Sequence, residues 1–242
     1  MFRGRTFTSA LSANVAGAFV MYGGFFFTSQ YLQLVAGLTP LRAGLLSLPA
    51  IAALMAASAV VPKLAVRVRP GHLIAAGLAV CSAGFLLLLG VGADGDVALL
   101  IGASVVIHIG IAPGTALGTS LIVGGVPPGQ SGAASGVAQT GNELGGALGI
   151  ALLGALGTAL YRHDLAAYAA PAAARDTLGG AVALSQRLPQ GLLDTAELAF
   201  AHGLHVVAAM CAALLLATSL AAARLLRHVP AMGATQPGGS TS

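Results

Sequence analysis

The sequence is short of charge. Charged residues make up 7% of its 242 residues, whereas hydrophobic residues make up 57%. An average soluble domain carries about 25% charged residues, so this composition excludes a chain surrounded by water. Mean hydropathy is +0.89, and several apolar runs approach the ~20 residues that a helix needs to cross a ~30 Å hydrocarbon core. The sequence therefore predicts a polytopic membrane protein in a lipid bilayer.

Reactive side chains are also scarce. The two cysteines, Cys81 and Cys211, fall inside apolar runs, where we expect them to pack as small apolar residues. The sequence has no phosphate-binding lysine loop, His/Cys metal cluster or pair of carboxylates. We therefore expect no metal and no cofactor. The net charge of +4 is spread singly or in small groups between apolar runs, which does not favour nucleic acid as a partner.

Two short patterns resemble enzyme motifs but lack the context these need. GVGADG, at 90–95, fits a dinucleotide-binding glycine pattern, which requires a preceding strand and a following helix; here it ends an apolar run. AASG, at 133–136, is similar to the serine motif of intramembrane proteases. However, Ala133 replaces the motif's first glycine and His108 precedes the serine. We therefore expect a protein that is not an enzyme.

Six apolar runs predict six transmembrane helices in one all-α domain, residues 1–228. Their approximate bounds are 7–35, 43–66, 73–93, 98–123, 133–161 and 199–226. The first run follows a basic N-terminus but is too long for a cleaved signal peptide. The tail, 229–242, is small and polar and is predicted to be a disordered cytoplasmic segment.

The segment 162–198 is predicted to form one or two surface helices, with a solvated connector as the alternative. One helical face would carry Leu192, Ala196, Ala199 and Phe200. Asp194 and Glu197 share another face.

Basic residues predict the topology. Six spans place both termini on one side of the membrane, which then carries seven of the eleven basic residues. These are Arg3, Arg5, Lys63, Arg67, Arg69, Arg224 and Arg227. The positive-inside rule places that side in the cytoplasm, so segment 162–198 lies outside. Ten arginines against one lysine, with abundant Ala and Gly, indicate a bacterial cell membrane.

Polar residues within the spans are concentrated in the first, fourth and fifth helices. Because polar groups in lipid lack hydrogen-bond partners, we expect these helices to line a cavity and the third and sixth to lie outside it. The cavity-lining candidates are Asn14, Tyr22, Gln30, Gln33, His108, Gln139 and Asn142. Two glycine ridges on the fourth and fifth helices predict close helix packing. They comprise Gly110, Gly114 and Gly118, and Gly141, Gly145 and Gly149.

Glu143 is the only acidic residue inside a predicted span. If the fifth helix begins near Ser131, Glu143 lies about 18 Å along it, near mid-membrane. On insertion scales, placing an Asp, Lys or Arg at the centre of a membrane helix costs roughly 2.5–3.5 kcal/mol of free energy. An acidic residue inside the membrane therefore indicates a functional site. Glu143 is therefore the candidate for proton or cation coupling. Pairing with a basic group elsewhere, or snorkelling to the cytoplasmic surface, is the alternative.

Four segments resemble the last six helices of the fourteen-helix drug:proton antiporters of the major facilitator superfamily. They are FRGRTFTSA, YLQLVAGLTPLRAGLLSLP, GQSGAASGVAQTGNELGGALGIALLG and DTLGGAVALSQRLPQGLLDTAELAFAHG. The resemblance implies two three-helix inverted repeats that form the C-terminal half of a transporter. It also implies export of small amphipathic or cationic compounds in exchange for protons. The partners would be a missing N-terminal half or a second copy of the chain.

Three departures from that family affect the prediction. The loop KLAVRVRPGH has Val66 where the superfamily has an aspartate, and Glu143 stands where many members carry a basic residue. The first six helices are absent from the sequence. A fragment, a truncated product and a split-transporter subunit all stay open, as does a non-transporting remnant or membrane scaffold.

Overall fold

The computed structural model describes residues 5–93, 95–124, 126–189 and 191–225. Regular structure in these residues is helical throughout. The α-helices are α1 (Arg5–Gln30), α2 (Pro40–Ala65), α3 (Pro70–Leu87), α4 (Val97–Gly124), α5 (Ser131–Leu165), α6 (Ala172–Asp176), α7 (Leu178–Ala183) and α8 (Leu192–Leu225). A π-helical turn, Tyr31–Val35, extends α1, and a 3-10 turn, Leu88–Gly90, extends α3. The predicted tail, 229–242, lies outside the described residues.

Six of these helices are long and apolar enough to cross a membrane: α1, α2, α3, α4, α5 and α8. Their count agrees with the six apolar runs. Polar and proline residues mark two of the starts. Thr39 caps α2 by accepting from Arg42 N at 3.4 Å, with Pro40 at the first helical position. Asp96 Oδ1 accepts from Leu99 N at 3.1 Å at the start of α4.

Segment 162–198 is only partly a separate connector. α5 continues to Leu165, and α8 begins at Leu192, seven residues before the apolar run predicted from 199. The early start of α8 has a packing reason, because its first two turns bury one face while Asp194 stays exposed. The buried side chains are Leu192, Ala196, Ala199 and Phe200. The short helices α6 and α7 occupy the middle of the segment.

The spans pack as two intertwined triplets, α1–α3 and α4, α5, α8. α1 packs on α5, and correspondingly α4 packs on α2; α3 packs on α4, and α8 packs on α1. If α1, α2 and α3 are exchanged with α4, α5 and α8, respectively, the α1–α5 contact corresponds to α4–α2 and the α3–α4 contact corresponds to α8–α1. This is the contact pattern expected of two inverted three-helix repeats.

The third helices of the two triplets, α3 and α8, are joined by a reciprocal pair of hydrogen bonds. Ser82 Oγ donates to the Ala212 carbonyl at 2.9 Å, and Ser219 Oγ donates to the Ala75 carbonyl at 2.7 Å. Both serines are buried. These polar groups therefore find partners inside the bundle rather than facing lipid.

Large apolar surfaces of α2 and α5 are left uncovered by the other helices. In α2, Leu41 is 73% exposed and Met55 69% exposed; in α5, Leu144 and Leu152 are each 57% exposed. Lipid or further protein can cover such a surface, but water cannot do so without a large free-energy cost.

Candidate functional site

Two grooves run between the helices that carry most of the polar residues. We call the first the histidine groove; its lining residues come from α1, α2, α3 and α4 and include Thr28, Ser47, Ser104 and His108. His108 Nδ1 lies 2.8 Å from the Ser104 carbonyl. A carbonyl can only accept, so Nδ1 carries the hydrogen and Nε2 of the neutral ring is an acceptor. The histidine groove thus contains several hydroxyl groups and an imidazole ring.

The second, which we call the amide groove, lies between α1, α3, α4 and α5. Its polar residues are Asn14, Thr115 and Asn142, and its apolar wall includes Ile74, Leu78 and Ile111. Met21 lines both grooves. The structure thus brings Asn14 and Asn142 together and keeps His108 apart from them. Ser135, the serine of the AASG pattern, is exposed on α5. His108 lies in a groove formed by α1 to α4, so this serine and this histidine do not share a groove.

Glu143 lies on the exposed face of α5, outside both grooves. Its Oε1 accepts a 2.7 Å hydrogen bond from Gln139 Nε2. Ser135, Gln139 and Glu143 recur every four residues, and all three are exposed. These three residues, which we call the polar strip, therefore follow one side of α5. The polar strip lies on the surface of α5 that the other helices leave uncovered.

The other predicted cavity residues have different surroundings. The Tyr22 ring packs against Gly146, where an added Cβ would lie 2.9 Å from Cδ2. Gln33 Nε2 donates within its own helix, to Ser29 Oγ at 2.9 Å. Gln30 lines a third groove, with Thr158 and Tyr161, beneath α6 and α7.

The three glycines of the α5 ridge lie close to α1. An added Cβ at Gly145 would lie 2.6 Å from the Val15 carbonyl oxygen, and one at Gly149 would meet the Phe19 carbonyl. One at Gly141 would lie 3.0 Å from Val15 Cγ2. Because these glycines lack a Cβ, the backbones of α1 and α5 approach closely.

The three glycines of the α4 ridge have different surroundings. An added Cβ at Gly110 would collide with the Cys81 backbone, whereas one at Gly114 would meet nothing within 4 Å. At Gly118 the nearest atom would be Asn14 Nδ2, at 3.7 Å. Gly114 therefore leaves space in the amide groove, whereas Gly118, which also lines the groove, is buried at ordinary contact distance from α1. Periodicity aligns the three glycines but does not show how far the neighbouring helix follows them.

Polar contacts at the α6–α7 end of the bundle were not singled out by sequence. His202 Nδ1 lies 2.7 Å from Asp164 Oδ2, which joins α8 to α5. His205 Nε2 donates to the Val91 carbonyl at 2.8 Å, and Tyr161 Oη donates to the Ala174 carbonyl at 2.8 Å. Each partner lies at least 13 residues away in sequence, so local patterns could not pair them.

Six spans in two inverted triplets, with polar grooves between the triplets, define a membrane transport domain. The chain matches the sequence model of the Major Facilitator Superfamily over residues 1–150. This chain belongs to the major facilitator superfamily, whose members are transporters rather than enzymes.

The chain is also similar to the "Multidrug efflux pump LfrA" of Mycolicibacterium smegmatis. The two are 39% identical over 228 residues, which cover 90% of this chain and 45% of that protein. The chain therefore spans about half the length of this relative.

Proposed function

We propose that this chain is the C-terminal half of a proton-coupled multidrug antiporter that exports small amphipathic or cationic compounds. Support comes from membership of a transporter family and from similarity to an efflux pump along 90% of the chain. The proposal places both termini in the cytoplasm of a bacterial cell, because seven of the eleven basic residues are on that side of a six-span topology.

The exposed carboxylate of Glu143 is the observation that carries the coupling proposal. It lies twelve residues into a helix of 35 residues, on a face that the bundle leaves uncovered. A charged group there is unfavourable against hydrocarbon. A water-accessible cavity, shared with the other half, would instead let the carboxyl group bind and release a proton as access alternates.

Glu143→Gln in the complete transporter tests this role. It keeps a polar side chain of the same size that cannot ionise, so we expect proton-driven efflux of a lipophilic cationic dye to be abolished. Glu143→Asp keeps the titratable group and should retain part of the efflux. The measurement is dye efflux from proteoliposomes after a pH jump.

Glu197→Gln is the matched control, since it removes a carboxylate near the start of α8 rather than in the polar strip of α5. It should leave efflux close to that of the unmodified transporter. If Glu143→Gln keeps full efflux with the same pH dependence, Glu143 pairs with a fixed basic group or has no coupling role.

A second expectation concerns the isolated chain. The uncovered surfaces of α2 and α5 and the polar strip need a further protein surface to complete a transport cavity. The 242-residue chain reconstituted alone as a monomer is therefore expected not to drive dye uptake into liposomes under a pH gradient. Proton-driven uptake by a demonstrated monomer would contradict the assignment of a half. Absence of transport in the complete protein as well would favour a non-transporting scaffold.

A further inference from the structure

The three hydroxyl groups that line the histidine groove all use their hydrogen within their own helix. Thr28, Ser47 and Ser104 each donate to the carbonyl four residues earlier, at 2.9, 3.0 and 2.8 Å respectively. A hydroxyl group has a single hydrogen and two acceptor lone pairs. Each of these oxygens can therefore only accept a further hydrogen bond from the contents of the groove.

His108 adds a fourth acceptor to this set. Because its Nδ1 donates to the Ser104 carbonyl, the bare nitrogen of the neutral ring is Nε2, on the far side of the ring from that bond. Nε2 forms no hydrogen bond with the described residues, and the side chain is half-buried. The polar side chains of the groove thus offer four acceptors and no donor, a combination that favours a species able to donate.

The size and charge of the groove restrict what that species can be. Its free volume is about 40 Å³, which is room for about three water molecules at most. No charged side chain lines it. Among the described residues, the titratable side chains of the helices packed on α4 lie outside the groove: Tyr22 of α1, Arg42 and Lys63 of α2, His72 and Cys81 of α3, and Glu143 of α5. Water and a proton are the donors that fit.

We propose that His108 binds a proton at Nε2, delivered through water in the histidine groove. His108 lies eleven residues into α4, about 16 Å along it and near mid-membrane, and histidine is the side chain that changes charge between about pH 5 and 8. The new Nε2–H supplies the donor that the groove lacks. Its binding does not depend on transport. Its movement across the membrane, as a proton additional to that of Glu143, rests on the proposed function.

The protonation of His108 can be followed in the isolated 242-residue chain. The chain is labelled with nitrogen-15 histidine in lipid nanodiscs, and His108→Gln identifies the His108 signals in the NMR spectrum. At about pH 8 we expect a hydrogen on Nδ1 alone, and at about pH 5 hydrogens on both ring nitrogens. A ring that keeps Nε2 bare at both pH values would overturn the proposal. An Nε2 signal that responds to Na⁺ at constant pH, and not to protons, would overturn it too.

Variants test whether the groove hydroxyls stabilise the protonated ring. Thr28→Val and Ser47→Ala together remove two acceptors, so the proton affinity of His108 should fall about tenfold, the effect of losing one hydrogen bond to a charged group. Thr28→Val alone serves if the pair does not insert. Thr115→Val is the matched control, since its hydroxyl also donates within α4 but lines the amide groove. Equal proton affinity in the variants and the unmodified chain would show that the groove does not hold the proton.

Dye gradients in the complete transporter measure whether this proton is transported. In proteoliposomes with the membrane potential clamped at zero, each coupled proton multiplies the steady-state dye ratio about tenfold per pH unit of gradient. His108→Gln should therefore lower the ratio about tenfold at a gradient of about one pH unit, whereas Glu143→Gln abolishes efflux. An unchanged ratio would refute the transport role of His108. A complete protein that exports nothing, although His108 gains its proton as expected, refutes only the proposed function.

Discussion

Single side chains show how the bundle satisfies its few polar groups. Ser82 and Ser219 are both buried, and each donates to a carbonyl of the opposite helix. Asn14 Oδ1 instead has no hydrogen-bond partner in the part of the chain that the structure describes. The sequence singles out Asn14, Asn142 and Glu143 by residue type, because polar groups are rare in its spans. It could not show that the first two share a groove while Glu143 faces outward, since that depends on how α1, α4 and α5 are rotated.

The serine bonds should contribute measurably to stability. Interhelical hydrogen bonds in membrane proteins average about 0.6 kcal/mol and reach about 1.7 kcal/mol. We expect Ser82→Ala and Ser219→Ala each to lower the free energy of unfolding by roughly that amount, measured by SDS titration in mixed micelles. Ser120→Ala, at an exposed position of α4, should change it far less. Equal effects at all three positions would mean that the cross-helix bonds add no stability.

At the scale of helices, glycine determines which pairs approach closely. In α5, Gly149 lies against the Phe19 backbone, while Gly136 of the same helix has open space around it. Gly149→Ala places a methyl group where a carbonyl already lies. Overpacking of this kind costs about 1–3 kcal/mol, so we expect a lower thermal unfolding midpoint in detergent.

Gly136→Ala provides the internal control for that substitution. Its methyl group meets nothing within 4 Å, and alanine favours the helix over glycine, so the unfolding midpoint should stay the same or rise. A Gly149→Ala variant as stable as Gly136→Ala would show that α1 and α5 can separate at little cost.

Helix number could be predicted from hydropathy, but helix ends could not. Hydropathy places the start of the last span near residue 199, and the helix begins at Leu192. The difference arises because Leu192 and Ala196 are buried while Asp194 is exposed; an amphipathic turn averages to low hydropathy although it is helical. Glycine spacing likewise aligns three glycines along each of α4 and α5, but only the structure shows that Gly110 lies against the Cys81 backbone while Gly114 has open space around it.

The topology of the whole molecule is testable without knowledge of a substrate. With both termini in the cytoplasm, the α3–α4 and α5–α8 connections face outward and the α2–α3 connection faces inward. Alkaline phosphatase fused after Asp94 or Arg175 should therefore be active, and phosphatase fused after Arg69 inactive. Green fluorescent protein fusions at the same positions should give the opposite pattern. The reverse result at all three sites would invert the bundle in the membrane.

The two serine bonds between α3 and α8 also limit how the bundle can deform. Their attachment points lie seven residues apart on each helix, or about 10 Å at ~1.5 Å per residue. A single hydrogen bond would allow the two helices to rotate about it. With two bonds this far apart, α3 and α8 cannot change their crossing angle or slide past each other unless at least one bond breaks. Any motion that keeps both bonds must move α3 and α8 together, so changes in helix angle must occur at the other helix contacts of the bundle.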